Sequence, residues 1–214
     1  MLRVVHASLI ALHGFTMNGA GLRHMMAELE PRLAPALEVV YPDAPRGASK
    51  VSVAGLAQVM GGLRPKPPNL EWWNASDDGQ VYHGWNESRE HVARALEGRP
   101  RAGLLGFSQG AAFAAALAAA ASQGAFPPLA FVVLVAGFVP RARDIAPWFD
   151  APVAVPSLHV LGDGDPFAKH GPALFERFDP ATRQLLRWPG RHVVPSDGAA
   201  ADAIIEFALR HAGP

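Results

Sequence analysis

The chain has 214 residues with half of them apolar, 19 basic and 19 acidic side chains, and no cysteine. That length suits one α/β domain, and the composition excludes a disordered or collagen-like chain. The zero net charge has no basic stripe to offer a nucleic-acid backbone, and the missing cysteines exclude disulfides and a thiol nucleophile.

In chain order, Val4–Leu12 is an apolar run that ends on His13-Gly14, the pattern of a strand buried on both faces. This closing His-Gly, and the lack of a small-residue cleavage site, argue against a signal peptide. Leu22–Leu33 has apolar residues at helical spacing, and Leu37–Tyr41 reads as a second strand stopped by Pro42-Asp43-Ala44-Pro45. Residues 46–82 carry little periodicity outside Val51–Met60 but hold Trp72-Trp73, so they are expected to form an insertion or lid rather than a disordered linker.

Beyond it, helix and strand patterns alternate. Trp85–Leu96 predicts a helix, Ala102–Phe107 a strand, Gln109–Gln123 a helix, and Leu129–Ala136 and Pro152–Leu161 strands. Leu174–Phe178 lies in a short helix, Arg183–Trp188 is a strand, and Asp197–His211 is a closing helix. Alternation of this kind predicts α/β architecture: a mostly parallel sheet of about six strands with helices on both faces, in a single domain spanning 1–214. No apolar run reaches the roughly 20 residues of a membrane span, and a soluble, cytoplasmic protein is expected.

Gly106-Phe107-Ser108-Gln109-Gly110 matches G-x-S-x-G between a predicted strand and helix. In that setting the serine projects from a strained turn, and the flanking glycines leave room for neighbouring backbone. Ser108 is therefore the candidate nucleophile. A serine hydroxyl needs a base and the base an orienting carboxylate, expected in the order Ser, Asp or Glu, His. Asp165, in Gly162-Asp163-Gly164-Asp165, is the preferred acid, with Asp163 the alternative. His192 is selected among the nine histidines because it follows the last strand and precedes the closing helix. His6 and His159 lie in strands, His24, His91 and His211 on helices, and His83 precedes the serine. His170 follows the acid loop too closely. Backbone amides of Gln109 and Phe15 are the expected oxyanion donors, with Thr16 the alternative to Phe15, and His13 is expected to brace that loop.

Leu12-His13-Gly14-Phe15, Asp43-Ala44-Pro45, Trp72-Trp73, Gly84-Trp85-Asn86-Glu87-Ser88, the serine pentapeptide, Gly162–Asp165 and Gly190-Arg191-His192-Val193-Val194-Pro195 together resemble the FSH family of small serine hydrolases. This is the ovarian-cancer-associated protein 2-like group of the α/β-hydrolase superfamily. The resemblance spans nearly the whole chain and implies a Ser108–Asp165–His192 triad, no metal or other cofactor, and esterase or thioesterase activity toward acyl chains. The sequence departs from the family at Pro166-Phe167-Ala168 and at Arg191, both near the pocket rim. Acyl-protein thioesterases of the phospholipase/carboxylesterase type share the L-H-G and G-F-S-Q-G strings and are the nearest competing family. Trp72 and Trp73 are expected to wall the acyl pocket. Two other classes compete: a binding protein with an idle triad, and a D-x-D phosphatase using Asp163 and Asp165, for which Phe167 is the wrong residue.

Overall fold

A computed structural model describes residues 7–59 and 66–213. Six strands form one parallel sheet: β1 (Ala7–Leu12), β2 (Leu37–Val40), β7 (Ala102–Phe107), β8 (Val132–Val135), β9 (Ser157–Gly162) and β10 (Arg183–Trp188), in the order β10-β9-β8-β7-β1-β2. The intervening β3 (Arg46–Gly47), β4 (Leu70–Glu71), β5 (Asn74–Ala75) and β6 (Tyr82–His83) make two small antiparallel pairs, β3 with β4 and β5 with β6. Helices α1 (Gly19–Met25), α2 (Glu30–Leu33), α3 (Lys50–Val59), α4 (Trp85–Ala95), α5 (Gln109–Ser122), α6 (Gly171–Phe175) and α7 (Gly198–Ala212) complete the fold.

The central strands β1, β7, β8 and β9 are buried at every position, as a sheet covered on both faces requires. Two apolar cores follow from their alternation. Ile10, Leu12, Leu104 and Leu134 face α5 and the three tryptophans at 72, 73 and 85, while Leu9, Ala11, Leu105 and Val133 face α7 and the Leu22–Leu33 region.

The α/β architecture agrees with the sequence expectation, and the differences are local. The single helix expected over Leu22–Leu33 is two, because Pro31 has no N–H and its ring would strike the carbonyl one turn back; it sits in the first turn of α2 instead. The helix expected over Leu174–Phe178 begins earlier, with Pro172 in its first turn. The start of the first strand at Val4, and His6, lie outside the described residues.

Helix α5 explains the alanine run. Every residue from Gln109 to Ala120 is buried, so small side chains let it lie close against the sheet. The closest approach is at its start: a Cβ on Gly110 would sit 2.1 Å from the Leu12 carbonyl oxygen, and one on Gly106 would sit 2.3 Å from the Gly110 carbonyl oxygen. Gly110→Ala is therefore expected to lower the unfolding free energy by roughly 3 kcal/mol through forced backbone displacement. Gly55→Ala in α3, where a Cβ meets nothing within 4 Å, should be neutral or stabilising by up to about 1 kcal/mol. Urea unfolding of the two variants checks the contrast.

Candidate active site

The carboxyl ends of β1, β7, β9 and β10 carry the groups singled out in the sequence, where open parallel sheets place their ligands. Ser108 joins β7 to α5 with φ 54° and ψ −115°, a conformation costly for a residue with a side chain. Its amide is held by the Val135 carbonyl at 2.9 Å, and the surrounding backbone leaves no room for side chains at Gly106 and Gly110. The strain thus lies in a turn over-determined by its neighbours, at the positive end of α5.

Asp165 and His192 meet at 2.7 Å through Oδ2 and Nδ1. The other carboxylate oxygen of Asp165 accepts the Phe167 amide at 2.7 Å, which fixes the carboxylate plane. Both side chains are nearly shielded from solvent. Nδ1–H donates to the carboxylate in this arrangement, leaving Nε2 free as an acceptor. The His192 ring packs between Phe107 and Phe167, at centroid distances of 4.8 and 5.0 Å. Asp163 is exposed and pairs with Arg187 at 2.5 Å. His170 is exposed as well.

Ser108 and His192 line one cavity of about 870 Å³. No hydrogen bond joins them among the described residues; such bonds often tighten only when substrate is bound. Phe15 and Gln109 line the same cavity, and neither backbone amide donates to another group among the described residues. The Thr16 amide, by contrast, is spent on the Leu70 carbonyl at 2.8 Å. Of the two alternatives in this loop, only Phe15 has an N–H without a partner among the described residues.

His13 is fully buried and braces the loop. Its Nδ1 contacts the Gly14 carbonyl at 2.8 Å, and its Nε2 accepts the Ala44 amide at 3.0 Å. The second contact requires an unprotonated Nε2, so the ring is neutral with its hydrogen on Nδ1. Burial agrees, pushing the His13 pKa down to about 4.

The two tryptophans part company. Trp73 lines the cavity, stacked on Tyr82 at 4.8 Å. Trp72 was expected beside it but is wholly buried away from the cavity, stacked on Phe113, with its indole N–H donated to the His13 carbonyl at 2.8 Å. A buried indole N–H needs such a partner, and the site that offers one is the core. The sequence reading also missed the Gln109 side chain, which accepts the Trp72 amide and donates to the Trp73 carbonyl, both at 2.9 Å. Phe138, Val139 and Leu56 supply further apolar wall, and the pocket-rim residue Phe167 does so too. Of these, Phe167 was singled out as a rim residue and Leu56 lies in the periodic stretch at 51–60, while Phe138 and Val139 had no sequence signal.

No group of three or more His, Asp or Glu side chains that could hold a metal ion occurs among the described residues. No helix among them is long and apolar enough to cross a membrane.

Parallel topology, a serine on a strained strand–helix turn, and a carboxylate–imidazole pair on later strand ends define an α/β-hydrolase. The family model described as serine hydrolase (FSH1) matches residues 5–204, and the chain belongs to that family. It is 34% identical to esterase OVCA2 of Bos taurus over 218 aligned positions, covering 93% of this chain and 94% of that one. Esterase OVCA2 of Mus musculus is 32% identical, with 92% and 93% covered. In fold the chain is similar to the crystal structure of Zea mays acyl-protein thioesterase 2, with a TM-score of 0.70 at 22% identity, 99% of this chain and 96% of that chain being covered. Membership of that family makes the chain a serine hydrolase by descent, and the relatives it matches over most of their length are named esterases.

Two buried imidazoles make stability depend on pH. His159 lies in β9, 1% exposed, and its pKa is lowered to about 3 by burial, with the nearby Arg183 charge adding to the effect. Both His13 and His159 stay neutral in the folded state while their unfolded counterparts protonate near pH 6.5. The unfolded state then binds more protons below that pH, so stability falls as pH falls. Between pH 7 and 5 each imidazole should cost roughly 2 kcal/mol. Urea midpoints across that range should show the decline, and His159→Gln should make it shallower.

Proposed function

We propose that this protein is a serine carboxylesterase or thioesterase acting on acyl chains through an acyl-enzyme at Ser108. The observation that carries the reading is the 2.7 Å contact between Asp165 and His192, on a cavity that Ser108 also lines. A binding protein with no chemistry to perform has no need of an oriented imidazole beside a strained serine.

In the first step His192 Nε2 takes the Ser108 proton as Oγ bonds to the substrate carbonyl carbon. Asp165 holds the imidazole orientation and stabilises the imidazolium that forms. The carbonyl oxygen becomes an oxyanion, stabilised by the free amides of Phe15 and Gln109 near the positive end of α5. Collapse breaks the bond to the alkoxide or thiolate, which takes the proton from His192. Water then gives its proton to His192 and attacks the acyl carbon, releasing the carboxylic acid and restoring Ser108. The chain operates as one domain. Its 46–82 segment is an insertion that walls the acyl pocket through Leu56, Trp73 and Tyr82. The absence of cysteine suits work in a reducing compartment such as the cytoplasm.

A fluorophosphonate probe should label the native protein and not Ser108→Ala. On a short p-nitrophenyl ester, Ser108→Ala should lower kcat by a factor on the order of 10³ or more, and Asp165→Asn by a comparable factor. Asp163→Asn, which breaks an exposed ion pair, should stay within about twofold of wild type. Equal labelling of Ser108→Ala, or a larger loss from Asp163→Asn than from Asp165→Asn, would overturn the assignment.

A further inference from the structure

The wall of the cavity is not uniformly apolar. Phe15, Leu56, Trp73, Phe138 and Val139 give it one character, but Arg141, Lys169 and His170 also line it, all three exposed and so at its mouth. Among the described residues, six arginines pair with carboxylates. Arg141 is not one of them, and Lys169 pairs with no carboxylate among the described residues. Among the described residues the one acidic side chain on the same wall is Asp77, which makes no ion pair with either.

Arg141 is also held in place. Its backbone N–H donates to the Tyr82 hydroxyl at 2.9 Å, and its guanidinium lies over Gly79, where a Cβ would come within 2.7 Å of Nη2. The loop after β8 is thereby fastened to the β5–β6 pair, with the guanidinium kept at the cavity mouth. Lys169 comes from a different element, the 3₁₀ turn Ala168–His170 that follows Asp165. Two unneutralised cations on separate elements, at the mouth of a partly apolar cavity, focus a positive potential where a substrate enters.

We propose that this mouth is a subsite for an anionic group of the substrate, carboxylate or phosphate, with Arg141 and Lys169 as its counter-charges. The substrate class is then an ester or thioester whose apolar acyl part lies against the aromatic wall and whose charge lies remote from the scissile bond. Arg141 offers a planar fork of donors suited to either oxyanion, and Lys169 a point charge. The proposal rests on the hydrolase reading above. The anion could be carried on the acyl chain or on the leaving group, and the probes separate these sources.

Four substrates form two matched pairs: p-nitrophenyl hexanoate against mono-p-nitrophenyl adipate, and hexanoyl-N-acetylcysteamine against hexanoyl-coenzyme A. The readout is the anionic-to-neutral ratio of kcat/KM in wild type, Arg141→Gln and Lys169→Gln, at low and high salt. At least one ratio should exceed unity by about tenfold, fall about fivefold in each variant, and shrink with salt. A high ratio for the adipate alone places the charge on the acyl chain, and for the coenzyme A thioester alone on the leaving group. Hydrolysis of the neutral members with neither ratio above unity, or with ratios unmoved by both substitutions, overturns the subsite and leaves the hydrolase reading standing. No turnover of any of the four, with no fluorophosphonate labelling of Ser108, overturns both.

Discussion

The candidate site depends on one steric constraint, the contact of the start of α5 with the end of β1. The Leu12 carbonyl lies where a side chain on residue 110 would be, and the Gly110 carbonyl lies where one on residue 106 would be. Only glycine permits that approach at both places. Because the backbones meet there, the Phe15 loop after β1 and the Gln109 amide at the head of α5 border one cavity. The strain at Ser108 belongs to the same packing, since the strand must reverse into the helix within a single residue. The alanines further along α5 continue the constraint, keeping the helix axis near the sheet over its buried length.

That junction is secured from the side by residues 69–73. Gln109 binds the backbone on both sides of the Trp72–Trp73 peptide, and the Trp72 indole binds the His13 carbonyl. Thr16 donates its amide to the Leu70 carbonyl and accepts the Asn69 side-chain amide at its own carbonyl, and Ser88 of α4 donates to the Trp72 carbonyl at 2.6 Å. Each of these groups would otherwise be a polar atom with poor access to water, so the network is costly to break in part. It also gives a physical reason for two motifs to occur together. The tryptophan pair and the Gly84–Ser88 string share a hydrogen bond, and both lead to the loop and helix that border the cavity.

The sheet was legible in the sequence because its signal is local. Apolar runs such as Ala102–Phe107 and Leu129–Ala136 are bounded by turn residues, and a parallel sheet follows from their alternation with helices. The proposed serine, acid and histidine were singled out for a related reason: each sits at a strand end, and chain order sorts the candidates. Between Asp163 and Asp165 the sequence favours Asp165, which the turn at Gly162–Gly164 can aim toward the histidine, because two aspartates two residues apart on one turn differ only in where the turn aims them. Asp163 reaches Arg187 on β10, and Asp165 reaches His192. Trp72 and Trp73 were harder still. A tryptophan suits a pocket wall and a core equally well by composition, and only the partner of the indole N–H distinguishes the two. The Gln109 side chain was hidden behind its own motif, where the backbone role alone explains its position.

The parts of the site therefore divide by how they are encoded. Groups that touch the reacting carbonyl in the proposed mechanism come from strand ends and from the first residue of a helix, where backbone position is fixed by the sheet. Groups that would meet the rest of the substrate come from segments with no periodic signal: Trp73 from the link between β4 and β5, Tyr82 from β6, Phe138 and Arg141 from the loop after β8, Phe167 and Lys169 from the acid loop. Such segments can change without disturbing the sheet, so the same chemistry can be directed to different acyl or leaving groups. Their contacts with one another limit that freedom. Arg141 bound to Tyr82, and Phe167 bound through its amide to Asp165, tie the cavity rim to the aromatic wall and to the Asp165–His192 pair. A change at the rim is thus felt at the imidazole through Phe167, and at the aromatic wall through Arg141.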